Sequence, residues 1–487
     1  MSRHSLSGNS VRLYQAIFGL AFLGICIRTI KGLMRGQLTN AKMVAAISLI
    51  VGLVLMLDKY YWIIAPVCWV LHIRIPGLPF DSQELGCLAV VAVHFIRVGM
   101  RREHAVRLNQ HLLVSLPLLL WICFVWMLRP TGINMLGSGA IGGRFYIKIV
   151  IAYLAMFSLS TLRLTPRDCK ILVYTLLVSA AFTVFVSFFR MGLLVPDASF
   201  NEEGGSKYKF LCFLPLYELL FCRYSLRQVL HSWRILFASL ICGFFIAYSG
   251  KRSATAAIVF IPYYRVLLSR KQLNTTIAVS VIGIFLIFLG VGLDGTFYEI
   301  PRSMARGLSM VFPKYRRMYH LQGARDKFRE ELRAGAKDVI RNHPWIGKGG
   351  YRMEHGEIVW IKSTGVSYAG HTLAGSWHSA FYAYPADFGI PALVFWLLFN
   401  IYALVYVLKL GRKVRDGTHQ AACVYFYGFL LIHAATFAYT SGHSSLSTLD
   451  LCFQYGMVLA LANGIEDEEA QLLAEGQQFA ALDTQII

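Results

Sequence analysis

The chain has 487 residues, of which 56% are hydrophobic and 15% charged, with a net charge of +21. So few polar residues cannot cover the apolar ones in water, which excludes a set of soluble domains. The apolar residues also occur in runs of the roughly 20 residues that a membrane-spanning helix needs. The composition therefore predicts an all-α polytopic membrane protein.

The distribution of the positive charge argues against nucleic-acid binding. From Glu84 onward, every second loop between apolar segments carries a basic cluster, which is the positive-inside pattern of cytoplasmic loops. Basic charge therefore indicates topology, and we expect no nucleic-acid partner. Twenty-one of the 47 basic residues fall in the six clusters Arg28–Lys42, Arg97–Arg107, Arg163–Lys170, Arg223–Arg234, Arg265–Lys271 and Lys409–Arg415.

The first quarter of the chain leaves its number of spans open. The first apolar run begins near Val11 and no small-residue cleavage site follows it, so we interpret it as a retained helix and not a signal peptide. Residues 43–73 form one apolar stretch interrupted by Asp58 and Lys59, which fits either one long tilted helix or a hairpin. With the segments that follow, the whole chain is predicted to contain 12–14 spans.

Eleven crossings are predicted between Glu84 and Ala462. The charge pattern places five loops outside the cytoplasm, and these are 129–147, 190–207, 250–253, 294–385 and 441–446. The glycine-rich stretch 137–144 lacks the Gly-Lys-Ser/Thr ending of a phosphate loop and is interpreted as an external turn. The predicted segments are 84–97, 111–128, 148–162, 171–189, 208–222, 235–250, 253–269, 275–293, 386–408, 421–440 and 447–463.

This reading divides the chain into four parts. Residues 1–293 form an N-terminal bundle of spans, 294–385 a large, partly helical periplasmic loop, and 386–463 the C-terminal spans. Residues 464–487 form an acidic cytoplasmic tail with no Lys or Arg. All ten cysteines lie in or beside apolar segments, so a disulfide framework or a zinc site in the loop is not expected.

The large loop is the one long polar interruption. Its 92 residues contain 14 Lys or Arg against 8 Asp or Glu, together with five histidines. Such a basic loop on the outer side runs against the topology trend, which applies mainly to short loops. The charge therefore favours an anionic substrate such as a phosphate.

A helix is predicted over 323–341 inside this loop, because Phe328, Leu332, Ala336 and Val339/Ile340 recur at helical spacing. Next to this apolar stripe, arginines recur every four residues. Three guanidinium groups stacked in this way can grip a diphosphate by bidentate contacts. The alternative is a solvated face on which they pair with neighbouring carboxylates. The arginines are Arg325, Arg329 and Arg333.

Two later segments carry candidate chemistry. The first is the run HPWIGKGG from His343 to Gly350, and the second runs from Trp377 through Asp387 to Ile390. His378 lies about one or two helical turns above the predicted membrane surface, where a histidine either serves as a general base or makes a structural hydrogen bond.

The order and spacing of these elements resemble the bacterial O-antigen ligase and O-antigen polymerase superfamily. That family carries a Pro-x-x-Gly-x-Gly element, then a histidine eleven residues before the glycine of an acidic-x-Gly turn. Pro344–Gly349, His378, Asp387 and Gly389 match it. A family arginine fifteen residues before the proline corresponds to Arg329.

A further family arginine lies in a Ser-Arg-Gly-like element between two spans and corresponds to Arg252. Charges at such a turn also occur as the ends of helices that reach toward water. The chain departs from the family pattern in three places. Ser379 replaces the usual Asn, Lys251-Arg252-Ser253 replaces the plainer element, and Arg333 stands where a Trp is common.

The resemblance implies a glycosyltransferase that uses no metal and no cofactor. Such enzymes move a glycan from a polyprenyl (undecaprenyl) diphosphate to an acceptor hydroxyl at the periplasmic face of the bacterial inner membrane. The acceptor is lipid A–core for a ligase and another carrier-linked glycan for a polymerase. His378 would be the general base, and Arg252 and Arg329 would bind the diphosphate, with Lys251, Arg325 and Arg333 as weaker candidates.

Aromatic residues of the loop offer faces for sugar stacking, although aromatic residues also gather at membrane interfaces by partitioning alone. The candidates are Trp345, Trp377 and Tyr382. Two other classes remain open from the sequence. A polysaccharide transporter or flippase predicts duplicated halves and charged residues along a path through the spans, and a non-catalytic assembly subunit predicts that the site residues are dispensable.

Overall fold

The structure is a computed structural model. Within the residues that it describes, the chain is helical and contains no β-strand, and the backbones of Asp294 and Tyr298 form an isolated bridge. The all-α prediction is confirmed for these residues. They are 58–71, 81–100, 110–129, 143–193, 212–249, 252–269, 273–301, 304–305, 308–309, 311–318, 323–349, 377, 379–414, 417–439 and 444–486.

A 3-10 helix, Asp58–Ile63, comes before the first α-helix in the described ranges. The α-helices are α1 Ile64–Leu71, α2 Ser82–Gly99, α3 Gln110–Leu113, α4 Leu116–Leu128, α5 Gly143–Leu159, α6 Pro166–Leu193, α7 Phe213–Arg223, α8 Leu226–His231, α9 Trp233–Tyr248, α10 Arg252–Ser269, α11 Leu273–Leu293, α12 Pro313–Met318, α13 Gly323–Asn342, α14 Ala380–Phe388, α15 Ile390–Lys413, α16 Gly417–Tyr439 and α17 Ser444–Ile486.

The chain divides into two compact units, Met1–Ala105 and Val106–Ile487. In the first unit, α1 packs against α2, and the Ser82 hydroxyl donates a hydrogen bond to the Cys68 carbonyl at 3.1 Å. The second unit contains α3 to α17 and therefore all the candidate site residues.

Nine of the eleven segments predicted from Glu84 onward each lie mainly in one helix over their described residues, whereas 111–128 is divided between α3 and α4 and 386–408 between α14 and α15. Four helices are long and apolar enough to span a membrane, and their spanning parts are Pro166–Phe185, Leu273–Leu293, Ile390–Lys413 and Ser444–Ala474. Five shorter apolar helices accompany them among the described residues. These are Tyr60–Val70, Leu116–Leu128, Phe145–Leu159, Trp233–Tyr248 and Ala254–Leu268. The total of 12–14 spans stays a prediction.

Two of the long helices differ in what surrounds them. The helix α11 has a mean hydropathy of 2.6, yet only 6% of its apolar window is buried by protein. Its side chains are therefore exposed over nearly the whole circumference, as expected for a helix that contacts lipid. By contrast, 94% of the apolar window of α17 is buried by protein, and α17 packs along α5 and α16. This apolar part of α17 thus lies in the interior of the second unit.

The structure differs from the predicted span 386–408 at its beginning. The chain forms a short helix, α14, then breaks at Gly389, and α15 begins at Ile390. The break follows from the backbone of Gly389, whose φ of +85° does not belong to a right-handed helix. The helix α17 continues through the predicted acidic tail as far as Ile486.

The helix α14 lies among several other helices. The predicted apolar stripe of α13 packs on it, and Ala336, Trp377, Ala383 and Ala386 form the buried cluster between them. The Ser379 hydroxyl donates to the Ala438 carbonyl at the end of α16 at 2.5 Å. The Tyr384 hydroxyl donates to the Ser444 carbonyl of α17 at 3.1 Å, and Trp121 Nε1 of α4 donates to the Phe388 carbonyl at 2.8 Å. The helix α14 therefore has little freedom to move.

Candidate active site

The two sequence elements identified above are joined by backbone hydrogen bonds. The turn after α13 pairs with the residues around the α14–α15 break. Lys348 N donates to Ala386 O at 2.8 Å, and Gly349 N donates to Asp387 O at 2.8 Å. Ile390 N returns a bond to Pro344 O at 2.8 Å. The Pro-x-x-Gly-x-Gly element and the acidic-x-Gly element thus form one structural unit.

The glycines of both elements are required by this pairing. Gly347 and Gly389 have φ angles of +63° and +85°, in the left-handed region that side chains with a Cβ rarely adopt. A Cβ on Gly389 would lie 1.9 Å from the Trp345 carbonyl oxygen. A Cβ on Gly347 would lie 2.5 Å from the Asp387 carbonyl carbon. The spacing of the glycines therefore reflects the close approach of two backbones.

Asp387 connects several parts of this site by hydrogen bonds. Its side chain is buried, with a residue exposure of 2%, and accepts hydrogen bonds from Trp377 Nε1 at 3.3 Å and from the Ser444 hydroxyl. Its backbone carbonyl accepts from Gly349, and that of Phe388 accepts from Trp121 Nε1 at 2.8 Å. A single carboxylate thus ties residue 377 to the start of α17.

This network bears on the predicted general base because Trp377 immediately precedes His378. Trp377 is 3% exposed, its indole packs in the cluster with Ala336 and Ala383, and its nitrogen is held by Asp387. The backbone that leads into His378 is therefore fixed on one side. His378 and Lys251 themselves lie outside the described residues.

The predicted arginines lie on two helices of the second unit. Arg252 is the first residue of α10, and Arg325 and Arg329 belong to α13, but their side chains fall outside the described part. The predicted apolar stripe is confirmed at Leu332 and Ala336, each fully buried. Arg333 is half-buried, and its Nε is enclosed without a hydrogen-bond partner among the described residues.

The three aromatic candidates differ in exposure. Trp345, in the turn after α13, is 69% exposed and leaves its ring faces available. Trp377 is enclosed in the helix–helix contact, and Tyr382 is half-buried against the same cluster. Stacking on a sugar ring requires an open face, so the exposure favours Trp345 over Trp377 for that role.

A second polar cluster lies where α11 ends, at the start of the predicted loop. Hydrogen bonds to the Asp294 carboxylate come from the Ile300 amide at 2.7 Å and the Tyr315 hydroxyl at 2.7 Å, and Lys314 lies 3.1 Å away. These donors hold the pKa of Asp294 below its usual range. Burial, followed by the bond to Asp294, raises the pKa of Tyr315. The cluster fixes the chain after α11.

Two residues beside the turn Pro344–Gly349, called the glycine turn below, were not predicted from the sequence. Arg129 ends α4, and its Nη2 lies 3.4 Å from His343 Nδ1. Tyr146 on α5 is 1% exposed, and its hydroxyl is enclosed without a partner among the described residues, within electrostatic range of Arg129 and Asp387. Their position could have indicated them, because segment 129–147 and the large loop were predicted on the same side of the membrane.

The Asp387 carboxylate gives a first prediction. Asp387→Asn keeps the size of the side chain and an oxygen for Trp377, but it loses the charge and one of the two carboxylate acceptors. We expect a loss of about 1–3 kcal/mol of unfolding free energy. The matched control is Asp338→Asn on the exposed face of α13. Thermal unfolding in detergent measures both variants, and equal stabilities would contradict the assigned role.

Tyr146 gives a second prediction, because its buried hydroxyl lacks a partner. We expect Tyr146→Phe to leave the unfolding free energy unchanged or raise it by up to about 1 kcal/mol. Tyr153→Phe, two turns along α5, removes a hydroxyl that donates to the Ser115 carbonyl at 3.0 Å and should cost about 1 kcal/mol. A loss from Tyr146→Phe as large as that from Tyr153→Phe would refute this account.

The apolar helices and their enclosed polar unit define a multi-pass helical membrane protein. Residues 237–397, about a third of the chain, match the family model described as O-antigen ligase. This match confirms the resemblance of this segment to the O-antigen ligase and polymerase superfamily. No curated protein matched the chain.

Proposed function

We propose that the protein transfers a glycan from a polyprenyl diphosphate carrier to an acceptor hydroxyl at the periplasmic face of the bacterial inner membrane. The observation that carries this proposal is the O-antigen ligase match over residues 237–397. The matched segment contains Arg252, Arg329, His378 and the two hydrogen-bonded segments 344–349 and 386–390. The proposed reaction uses no metal or cofactor.

In this mechanism, the acceptor oxygen attacks the anomeric carbon of the donor glycan while the bond from that carbon to the diphosphate oxygen breaks. His378 takes the proton of the acceptor hydroxyl, and the diphosphate leaves with the electron pair of the broken bond. Arg252 and Arg329 hold and neutralise the leaving diphosphate, with Lys251, Arg325 and Arg333 as further candidates. The anchoring of Trp377 by Asp387 supports a fixed position for the base.

The enclosed Nε of Arg333 supports its place among these cations. An arginine nitrogen buried without an acceptor is costly, and a phosphate oxygen is a suitable acceptor for it. Trp345 is the proposed sugar-stacking residue, since its ring is open and it lies in the turn that the active-site unit forms. Tyr382 and Trp377 are assigned to the packing that supports this unit.

The first experiment is reconstitution of the full chain in lipid vesicles with a carrier-linked glycan and a defined acceptor. We expect glycan transfer to appear only when donor and acceptor meet on the face that carries the large loop. Movement of the intact donor across the vesicle without transfer would instead support a flippase. If a chain that is verified to be folded shows neither transfer nor movement of the donor, the result supports an assembly subunit.

The second experiment distinguishes a ligase from a polymerase, and we propose that the protein is a ligase. A bacterium lacking this gene is examined for the glycan ladder on its lipopolysaccharide. Loss of every glycan-capped lipid supports the ligase. A single-repeat band supports the polymerase, and loss of an exopolysaccharide alone supports a pathway that does not end on lipopolysaccharide.

A further inference from the structure

Arg129 stands in direct contact with the glycine turn of the proposed active site, although it lies outside the O-antigen ligase segment. The residue follows the last turn of α4, and one guanidinium nitrogen lies 3.4 Å from His343 Nδ1. Its Cβ lies 2.8 Å from the position that a Cβ on Gly349 would occupy. The absence of a side chain at Gly349 therefore makes room for the stem of Arg129.

Within the described part of the chain, no carboxylate forms an ion pair with Arg129. Asp387 is close enough to act electrostatically on the same tyrosine, Tyr146, as Arg129 does. An arginine has five N–H donors, of which the described contacts use one, directed to His343. Most of the donor capacity of Arg129 is therefore available to a ligand.

The contact with His343 also has a direction. Arginine has no acceptor, so the guanidinium donates and His343 Nδ1 accepts, which leaves the ring proton on Nε2. Arg129 therefore contributes a positive charge beside this ring.

Backbone dipoles make a cation at this place necessary for an anionic substrate. The helices α4, α13 and α14 end at Leu128, Asn342 and Phe388, and all three ends meet the glycine turn or its partner. The C-terminal end of a helix carries roughly half a negative charge. A diphosphate near three such ends is repelled unless a positive group offsets them.

We propose that Arg129 binds the diphosphate of the donor lipid, as a cation that α4 contributes to the active site from outside the O-antigen ligase segment. This inference rests on the proposed function, since it assigns a further contact to the same donor. Unlike the proposed function itself, this inference requires α4 to remain packed against α14.

The experiment measures binding of a sugar-free polyprenyl diphosphate, and of the matching monophosphate, to the full chain in nanodiscs. Arg129→Met keeps an unbranched apolar stem over Gly349 but removes the charge, and Arg129→Lys keeps the charge. We expect Arg129→Met to weaken diphosphate binding roughly tenfold and monophosphate binding less, with Arg129→Lys between wild type and Met. In the transfer reaction, KM for the donor should rise more than kcat falls.

The control is Arg163→Met, because Arg163 is an exposed arginine paired with Asp467 at 2.7 Å and remote in sequence from the site. We expect it to bind the diphosphate as wild type does. Unchanged diphosphate binding by folded Arg129→Met would overturn the inference while the transferase proposal stands. If Arg129→Met does not fold, Arg129→Lys decides the question. Diphosphate binding weakened more than monophosphate binding supports the inference, and unchanged binding or an equal loss for both phosphates overturns it. If the wild-type chain shows neither diphosphate binding nor glycan transfer, the proposed function itself is contradicted.

Discussion

Replacement of His378 by alanine should lower the rate of glycan transfer by roughly 10²- to 10⁴-fold, because the acceptor hydroxyl would lose the base that takes its proton. Donor binding should change little, since the proposed diphosphate contacts come from the arginines. The measurement is single-turnover transfer in vesicles, with the donor bound before the acceptor is added. This order separates the chemical step from binding.

The matched control is His355→Ala, which removes another histidine of the same predicted loop that matches no catalytic or metal-ligand spacing. It should transfer glycan at close to the wild-type rate. Undiminished activity of His378→Ala would refute its assignment as the base. A loss of the same size in both variants would point to the stability of the loop and not to acid–base chemistry.

Replacement of Gly389 by alanine should destabilise the protein by at least about 3 kcal/mol and abolish transfer. Two costs add at this position. The φ of +85° is unfavourable for any residue with a Cβ, and the added Cβ would lie 1.9 Å from the Trp345 carbonyl oxygen. Neither backbone can yield without breaking the bonds that join residues 344–349 to 386–390. Thermal unfolding in detergent and vesicle transfer measure the two effects.

Gly295 offers a control that separates these costs. Its φ is +88°, close to that of Gly389, but a Cβ there would meet no atom within 4 Å. Gly295→Ala should therefore show the backbone cost alone, about 1–2 kcal/mol. The difference between the two variants gives the cost of the steric clash. Equal destabilisation would mean that the close packing of Gly389 on Trp345 contributes nothing.

Much of the architecture could be predicted from the sequence because helices are encoded locally. Apolar runs and the 3.6-residue period need only neighbouring residues, so the eleven segments from Glu84 onward and the helix predicted at 323–341 all lie mainly in helices of the structure over their described residues. The burial of Leu332 and Ala336 followed from the same period. The motif spacing led to the superfamily, which the match over residues 237–397 confirms.

The tertiary structure decided what the motif residues do for one another. Pro344–Gly349 and Ala386–Ile390 lie about forty residues apart, and no local pattern shows that their backbones are hydrogen-bonded or that Gly389 ends a helix. The burial of Trp377 likewise depends on Asp387, which is ten residues away, and on α13.

Arg129 shows the same limit more clearly. In the sequence it is one basic residue at the end of an apolar run, more than 200 residues before His343. Its position beside the glycine turn results from the packing of α4 against α14 and α15. The sequence by itself determined the helices and indicated the class of protein and the family that it resembles, because these depend on composition, period and short motifs. Only the tertiary structure decided which charges meet at the site, because long-range packing brings them together.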